Sequence, residues 1–153
     1  MAVLSKTRFV LPLAVVVLGL GACGGDDDDD DGTTTGASAG GAVEIVMDDY
    51  SFSPANATVP AGPVTITAPN EGKVEHELVL FKSDADPAKL PVSGAEADEA
   101  AFEAQGAEVI GEAEAEPGES GEFDAELEAG AYVMICNLPG HYQKGMYGSL
   151  TAE

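Results

Sequence analysis

The chain has 153 residues and a formal net charge of −22, with 28 acidic side chains against 6 basic ones. So few basic residues exclude the clustered Lys and Arg of a nucleic-acid footprint. Two histidines and two cysteines exclude a His-rich multinuclear catalytic centre, and without Trp the core must rest largely on Val, Ile, Leu and Ala.

The N-terminus reads as an export signal. Lys6 and Arg8 precede an apolar run over residues 9–20, and small residues follow it. A run of about a dozen residues is shorter than the ~20 a membrane-spanning helix needs. "LGAC", ending at Cys23, resembles a bacterial lipobox, which implies cleavage after residue 22 and lipidation of Cys23. Ordinary cleavage that leaves Cys23 a free thiol is the alternative, and an unpaired exposed cysteine outside the cell argues against it. One acyl chain anchors only marginally, so the lipoprotein reading implies more than one. Residues 23–41 then form a tether. Its Asp run cannot pack, and the Gly/Ser/Thr stretch behind it is flexible. Residues 1–22 carry two of the six basic side chains, so the mature chain is still more acidic. Such a charge favours solubility and steers the protein toward basic partners.

Residues 42–153 read as one domain. Residues 43–47, "VEIVM", form a short β-branched run. Val64, Ile66 and Ala68 alternate with Thr65 and Thr67, the pattern of a half-buried strand. "HELVLF" (76–81) predicts another strand, and Phe123, Ala125 and Leu127 alternate with acidic residues in a further one. "AYVMIC" (131–136) is apolar throughout and suits a strand buried on both faces. "MYGSLTAE" predicts a last short strand. These spacings predict an all-β, antiparallel β-sandwich. Residues 83–116 break the rhythm and read as an acidic Ala/Glu-rich insertion. Ser93 and Glu96 suggest a capping box opening a helix of about three turns, with Phe102 as its apolar anchor and Gly106 as its stop. Its expected role is to cover an edge strand, with a docking surface as the alternative.

Chemistry concentrates in "CNLPGHYQKGM". Cys136, His141 and Met146 fall five apart, from the end of an apolar strand, through a Pro/Gly loop, to the start of the next strand. Each residue alone would more often be core than ligand. Together, a thiolate, an imidazole and a thioether form a soft set suited to copper, whereas zinc prefers a stronger fourth ligand than Met, and magnesium or calcium prefer oxygens. One more imidazole would complete a His₂Cys trigonal site with a weak axial Met, and His76 is the only other histidine in the chain.

"CNLPGHYQKGM", with "DYSFSP…TVPAGPVTITAPNEG…H" upstream and "PGESGEFDAELEAGAYVMIC" before the Cys, resembles the cupredoxins, the plastocyanin and azurin superfamily. The four-residue gaps on either side of His141 are most similar to rusticyanin- and sulfocyanin-like members. The resemblance implies a Greek-key β-sandwich holding one type 1 copper, with His76, Cys136 and His141 as equatorial ligands and Met146 as the axial one. It also implies electron entry through the edge of His141, inside an apolar patch of Leu138, Pro139 and Tyr142. Many cupredoxins carry Asn after the first His; here Glu77 stands there. Strand alternation is expected to turn Glu75 and Glu77 to solvent, and Asn137 is the candidate for a loop-fixing hydrogen bond. Met47 and Met134 read as core.

The expected function is a membrane-tethered, extracytoplasmic, monomeric electron carrier for redox partners with a basic docking face. A copper carrier or chaperone that serves an extracytoplasmic oxidase uses the same residues and is the alternative. No enzyme is indicated, because a multicopper oxidase or nitrite reductase needs histidines this chain does not have.

Overall fold

The computed structural model describes residues 41–153; the export signal, Cys23 and the tether lie outside them. Two sheets face each other. β1 (Gly41–Glu44), β5 (Gly62–Pro69) and β10 (Ser120–Leu127) form a three-stranded sheet in the order β1-β5-β10. β4 (Asn56–Val59), β12 (Tyr147–Ala152), β11 (Gly130–Ile135), β6 (His76–Lys82) and β9 (Glu108–Ala115) form a five-stranded one in that order. The central pairings are antiparallel, as expected. Among the described strands, parallel ladders form at two edges, β1 on β5 and β4 on β12. The run over residues 43–47 is not one strand. It breaks at Ile45, so that β1 joins β5 while β2 (Val46–Asp48) turns back on β3 (Ser51–Ser53) as a separate hairpin.

Alternation sets which side chains fill the space between the sheets. Val64, Ile66 and Ala68 point inward from β5, Leu78 and Leu80 from β6, and Tyr132 and Met134 from β11; Met47 joins them. The intervening residues Val79, Phe81, Val133 and Ile135 point to the other face of the five-stranded sheet, yet they too are buried. Leu90, Ala97, Phe102 and Tyr142 cover them. This second layer is why the strands "HELVLF" and "AYVMIC" are apolar on both faces. Burying a side chain the size of Phe102 contributes about 1.5–3 kcal/mol.

That covering layer differs from the expected insertion in three ways. It lies on a sheet face rather than along an edge, and the segment returns to the sheet over Glu108–Ala115 as β9. Ser93 and Glu96 do not cap a helix but pair with each other across the hairpin of β7 (Val92–Ser93) and β8 (Glu96–Ala97). The helix that follows, α1 (Glu99–Glu103), has five residues rather than three turns, and its cap is Asp98, whose carboxylate accepts the Ala101 N–H at 3.0 Å. Phe102 is its buried anchor, and Gly106 stops it, donating its N–H to the Glu103 carbonyl at 2.8 Å.

Candidate metal centre

Three elements converge at one end of the sandwich. His76 is the first residue of β6 and is fully buried. Cys136 follows the last residue of β11, its neighbour strand, and is also fully buried. His141 sits ahead of a 3-10 turn, Tyr142–Lys144, which Gly145 closes at φ 102°. The backbone then doubles back: the Cys136 N–H donates to the Met146 carbonyl at 3.0 Å, and the Met146 N–H to the His141 carbonyl at 3.2 Å. Met146 is wholly buried in the same inter-sheet core as Cys136.

The side chains of His76, Cys136 and His141 present their ligand atoms within 4.8 Å of one another. His141 Nδ1 lies 3.2 Å from Cys136 Sγ and 3.3 Å from His76 Nδ1. Ligands about 2.1 Å from a metal in a trigonal plane stand roughly 3.6 Å apart, so this triangle fits one ion. A thiolate with two imidazoles suits copper, and no described carboxylate joins the cluster to favour a hard cation.

Burial keeps the Cys136 thiol protonated and poorly reactive. Burial, opposed in part by the Glu77 and Leu138 backbone N–H groups, pushes Cys136 up to about 11. The Glu77 N–H stands 3.4 Å from its sulfur. A copper ion must therefore displace the thiol proton. His141 is held below the ordinary imidazole range, first by burial and then by the charges of His76 and Lys144.

Asp49 and Tyr50, at the tip of the β2–β3 hairpin, complete the outer wall. Asp49 Oδ1 lies 3.2 Å from His76 Nε2 and accepts the Lys73 N–H at 2.9 Å. The Lys73 N–H is the main reason the Asp49 carboxyl sits below its usual range. Tyr50 stands edge-on to His141, with ring centroids 4.8 Å apart, and Lys144 Nζ lies 3.6 Å over the Tyr50 ring. Gly72 closes over the same spot, where a Cβ would come 2.8 Å from His76 Nε2. Asp49 and Tyr50 open the "DYSFSP" stretch, but the sequence gives neither a role at the site, because "DDY" carries no spacing signal toward a histidine so far along the chain.

Two expected placements are corrected. Tyr142 does not face outward: it is 5% exposed, its hydroxyl accepts the Leu90 N–H at 2.9 Å and donates to the Pro87 carbonyl at 2.8 Å, and it belongs to the covering layer. Glu75 is exposed, but Glu77 is half-buried because that layer covers the outer face of β6. Burial and the neighbouring Glu114, Glu99 and Glu112 push Glu77 up to about 7, against a hydrogen bond from the Asn137 backbone. Asn137 does fix the loop, through the insertion. Its Oδ1 accepts the Ala97 N–H at 2.7 Å, and its Nδ2 donates to Glu99 Oε1 at 2.6 Å. The Gly140 N–H donates to the Ala95 carbonyl and the Gln143 side chain to the Gly94 carbonyl, both at 2.8 Å. Around His141, Leu138 is half-buried and Pro139 exposed.

A two-sheet sandwich with a buried His₂Cys cluster at one end defines a single-copper β-protein. The chain belongs to the family of copper binding proteins of the plastocyanin/azurin type, whose family model matches residues 39–153. It is 34% identical over 119 residues to the copper-resistant cuproprotein CopI of Rubrivivax gelatinosus, an alignment covering 72% of this chain and 66% of that one. Among solved structures it is similar to auracyanin B, at 28% identity and a TM-score of 0.56 over 73% of this chain and 88% of that one. Auracyanin A, a "blue" copper protein from Chloroflexus aurantiacus, matches at 27% identity and a TM-score of 0.52, over 74% of this chain and 100% of that one. The dithionite-reduced auracyanin of Roseiflexus castenholzii shares the fold, with a TM-score of 0.56 at 23% identity, over 73% of this chain and 96% of that one.

Proposed function

We propose that this protein is a type 1 copper protein that carries single electrons between partners outside the cytoplasm, held at the membrane through a lipidated Cys23. Copper supplies the Cu(I)/Cu(II) couple when bound. The observation that carries the reading is the convergence of His76, Cys136 and His141 on one point from two paired strands and a braced loop. His76, Cys136 and His141 would hold the copper, with Met146 as a weaker fourth ligand. The burial of Met146 beside Cys136 supports that assignment. Fixed ligands move little between oxidation states, which keeps reorganisation small. His141, 9% exposed and flanked by Leu138 and Pro139, is the route for electrons. The formal charge of −22 favours partners with a basic docking face. The protein acts as a monomer and catalyses no reaction of its own.

The similarity to a copper-resistant cuproprotein supports a second reading, in which the same site holds copper for tolerance or delivery. Cu(II) added to the purified protein should give an intense blue thiolate-to-copper band, lost in Cys136→Ala. A colourless protein that binds no copper would sink both readings. Reversible voltammetry with slow copper loss to a chelator supports the carrier; rapid transfer of copper to an acceptor supports delivery.

A further inference from the structure

His76 is 0% exposed, so neither ring nitrogen can turn to water. Its Nδ1 faces His141 Nδ1 inside the cluster. Its Nε2 faces outward to Asp49 Oδ1, 27 residues earlier in the chain. An ionised carboxylate only accepts hydrogen bonds, so the hydrogen between them sits on Nε2. Nδ1 is then left with its lone pair pointing at the other two ligands. Asp49 is itself held in place: its Oδ1 accepts the Lys73 N–H, and Gly72 packs so closely that a Cβ there would come 2.6 Å from the same oxygen.

We infer that Asp49 is a positioning residue for the copper site. It fixes His76 as the Nε2–H tautomer with Nδ1 free to bind, and its negative charge makes the imidazole a stronger donor, favouring Cu(II) over Cu(I). The inference rests on His76 being a copper ligand. A carboxylate or carbonyl behind a ligating histidine orients the ring and raises its basicity, and losing such a partner typically weakens metal binding 10–100-fold. The competing possibility is that Asp49 only closes the turn through the Lys73 N–H.

Two variants of the full chain separate these. Asp49→Ala removes acceptor and charge; Asp49→Asn keeps an oxygen acceptor and removes the charge. Nitrogen-15 NMR of the copper-free protein should show His76 protonated on Nε2 in the wild type and in Asp49→Asn, and a mixture of tautomers in Asp49→Ala. Asp49→Ala should lose about tenfold or more in Cu(II) affinity. Asp49→Asn should bind copper nearly as tightly but with a higher reduction potential. If Asp49→Ala fails to fold, the Asp49→Asn potential decides alone. A wild-type tautomer and affinity in Asp49→Ala, or an unmoved potential in Asp49→Asn, would overturn the inference. A wild type that binds no copper would instead overturn the copper reading, and the NMR result on the apo protein distinguishes the two failures.

Discussion

Asn137 and Ala97 exchange two hydrogen bonds: the Ala97 N–H donates to Asn137 Oδ1 at 2.7 Å, and Asn137 Nδ2 donates back to the Ala97 carbonyl at 3.2 Å. The residue next to the copper thiol is thereby paired with the covering hairpin as if it were one more strand. Asn137→Ala leaves the Ala97 groups unpaired in a part-buried site, which costs about 1–3 kcal/mol. Urea unfolding of the apo protein should show that loss, and Cu(I) should pass to a chelator faster than from the wild type. An unchanged transfer rate would mean the loop holds its geometry without the hairpin.

Gly72 is a second point of close approach. An added Cβ would meet Asp49 Oδ1 at 2.6 Å and His76 Nε2 at 2.8 Å. Gly72→Ala should push the His76 ring out of line, weakening and shifting the blue band. Strands far from the turn should keep their far-ultraviolet circular dichroism. A wild-type absorption spectrum would show that the 70–74 turn yields instead of the ring.

Copper uptake should release a proton. Cys136 is pushed up to about 11, so the free protein holds the thiol protonated at pH 8 and the metal must displace that hydrogen. One proton per copper should appear when binding is followed by calorimetry in buffers of different ionisation enthalpy. Apparent affinity should rise about tenfold per pH unit in this range. Metal binding without proton release would place the thiol proton elsewhere in the free protein.

Glu77 gives the opposite pH signature, in stability rather than affinity. Its folded value, about 7, lies above the ordinary 4.5, so the native state holds the proton more tightly than the unfolded chain. Its contribution is fully present below about pH 4.5 and is lost as pH rises through 7. Glu77→Gln removes this titration. The apo variant should gain stability over wild type as pH rises from 5 to 8, measured by urea midpoints. A constant difference across that range would rule out the shift.

Tyr142→Phe tests whether this aromatic serves packing or electron transfer. The change removes one hydroxyl that bridges the Leu90 N–H and the Pro87 carbonyl. Loss of about 1–3 kcal/mol of stability is expected, because the buried Leu90 N–H loses its acceptor. Electron self-exchange of the copper form, read by NMR line broadening, should stay at the wild-type rate. A slowed exchange with intact stability would return Tyr142 to the electron route.

The meeting of His76, Cys136 and His141 was legible because Cys136 and His141 lie close together in the chain, at a strand's end and in the short loop after it, and His76 had no competitor. The alternation of Val64, Ile66 and Ala68 was legible for the same reason. Ser93 and Glu96 misled because the spacing that signals a capping box also fits a hairpin. Gly94, at φ 64°, allows the tight turn, and the packing of the hairpin on the copper loop decides between them. Tyr142 misled because its partners Pro87 and Leu90 lie in the covering segment, and Glu77 because Glu99 of that segment and Glu112 and Glu114 of β9 gather around it; no local pattern encodes either setting. Asp49 was invisible since its partnership with His76 is purely spatial.

The position of Val79, Phe81, Val133 and Ile135 beneath residues 87–104 bears on how this copper loop could be reused. Residues 136–146 are not a portable cassette. Grafted onto a two-layer sandwich, they would leave behind the partners of Asn137, Gly140, Tyr142 and Gln143, and the host would gain ligands without their scaffolding. Moving the loop means carrying the covering segment with it, together with the four apolar sheet positions on which that segment packs.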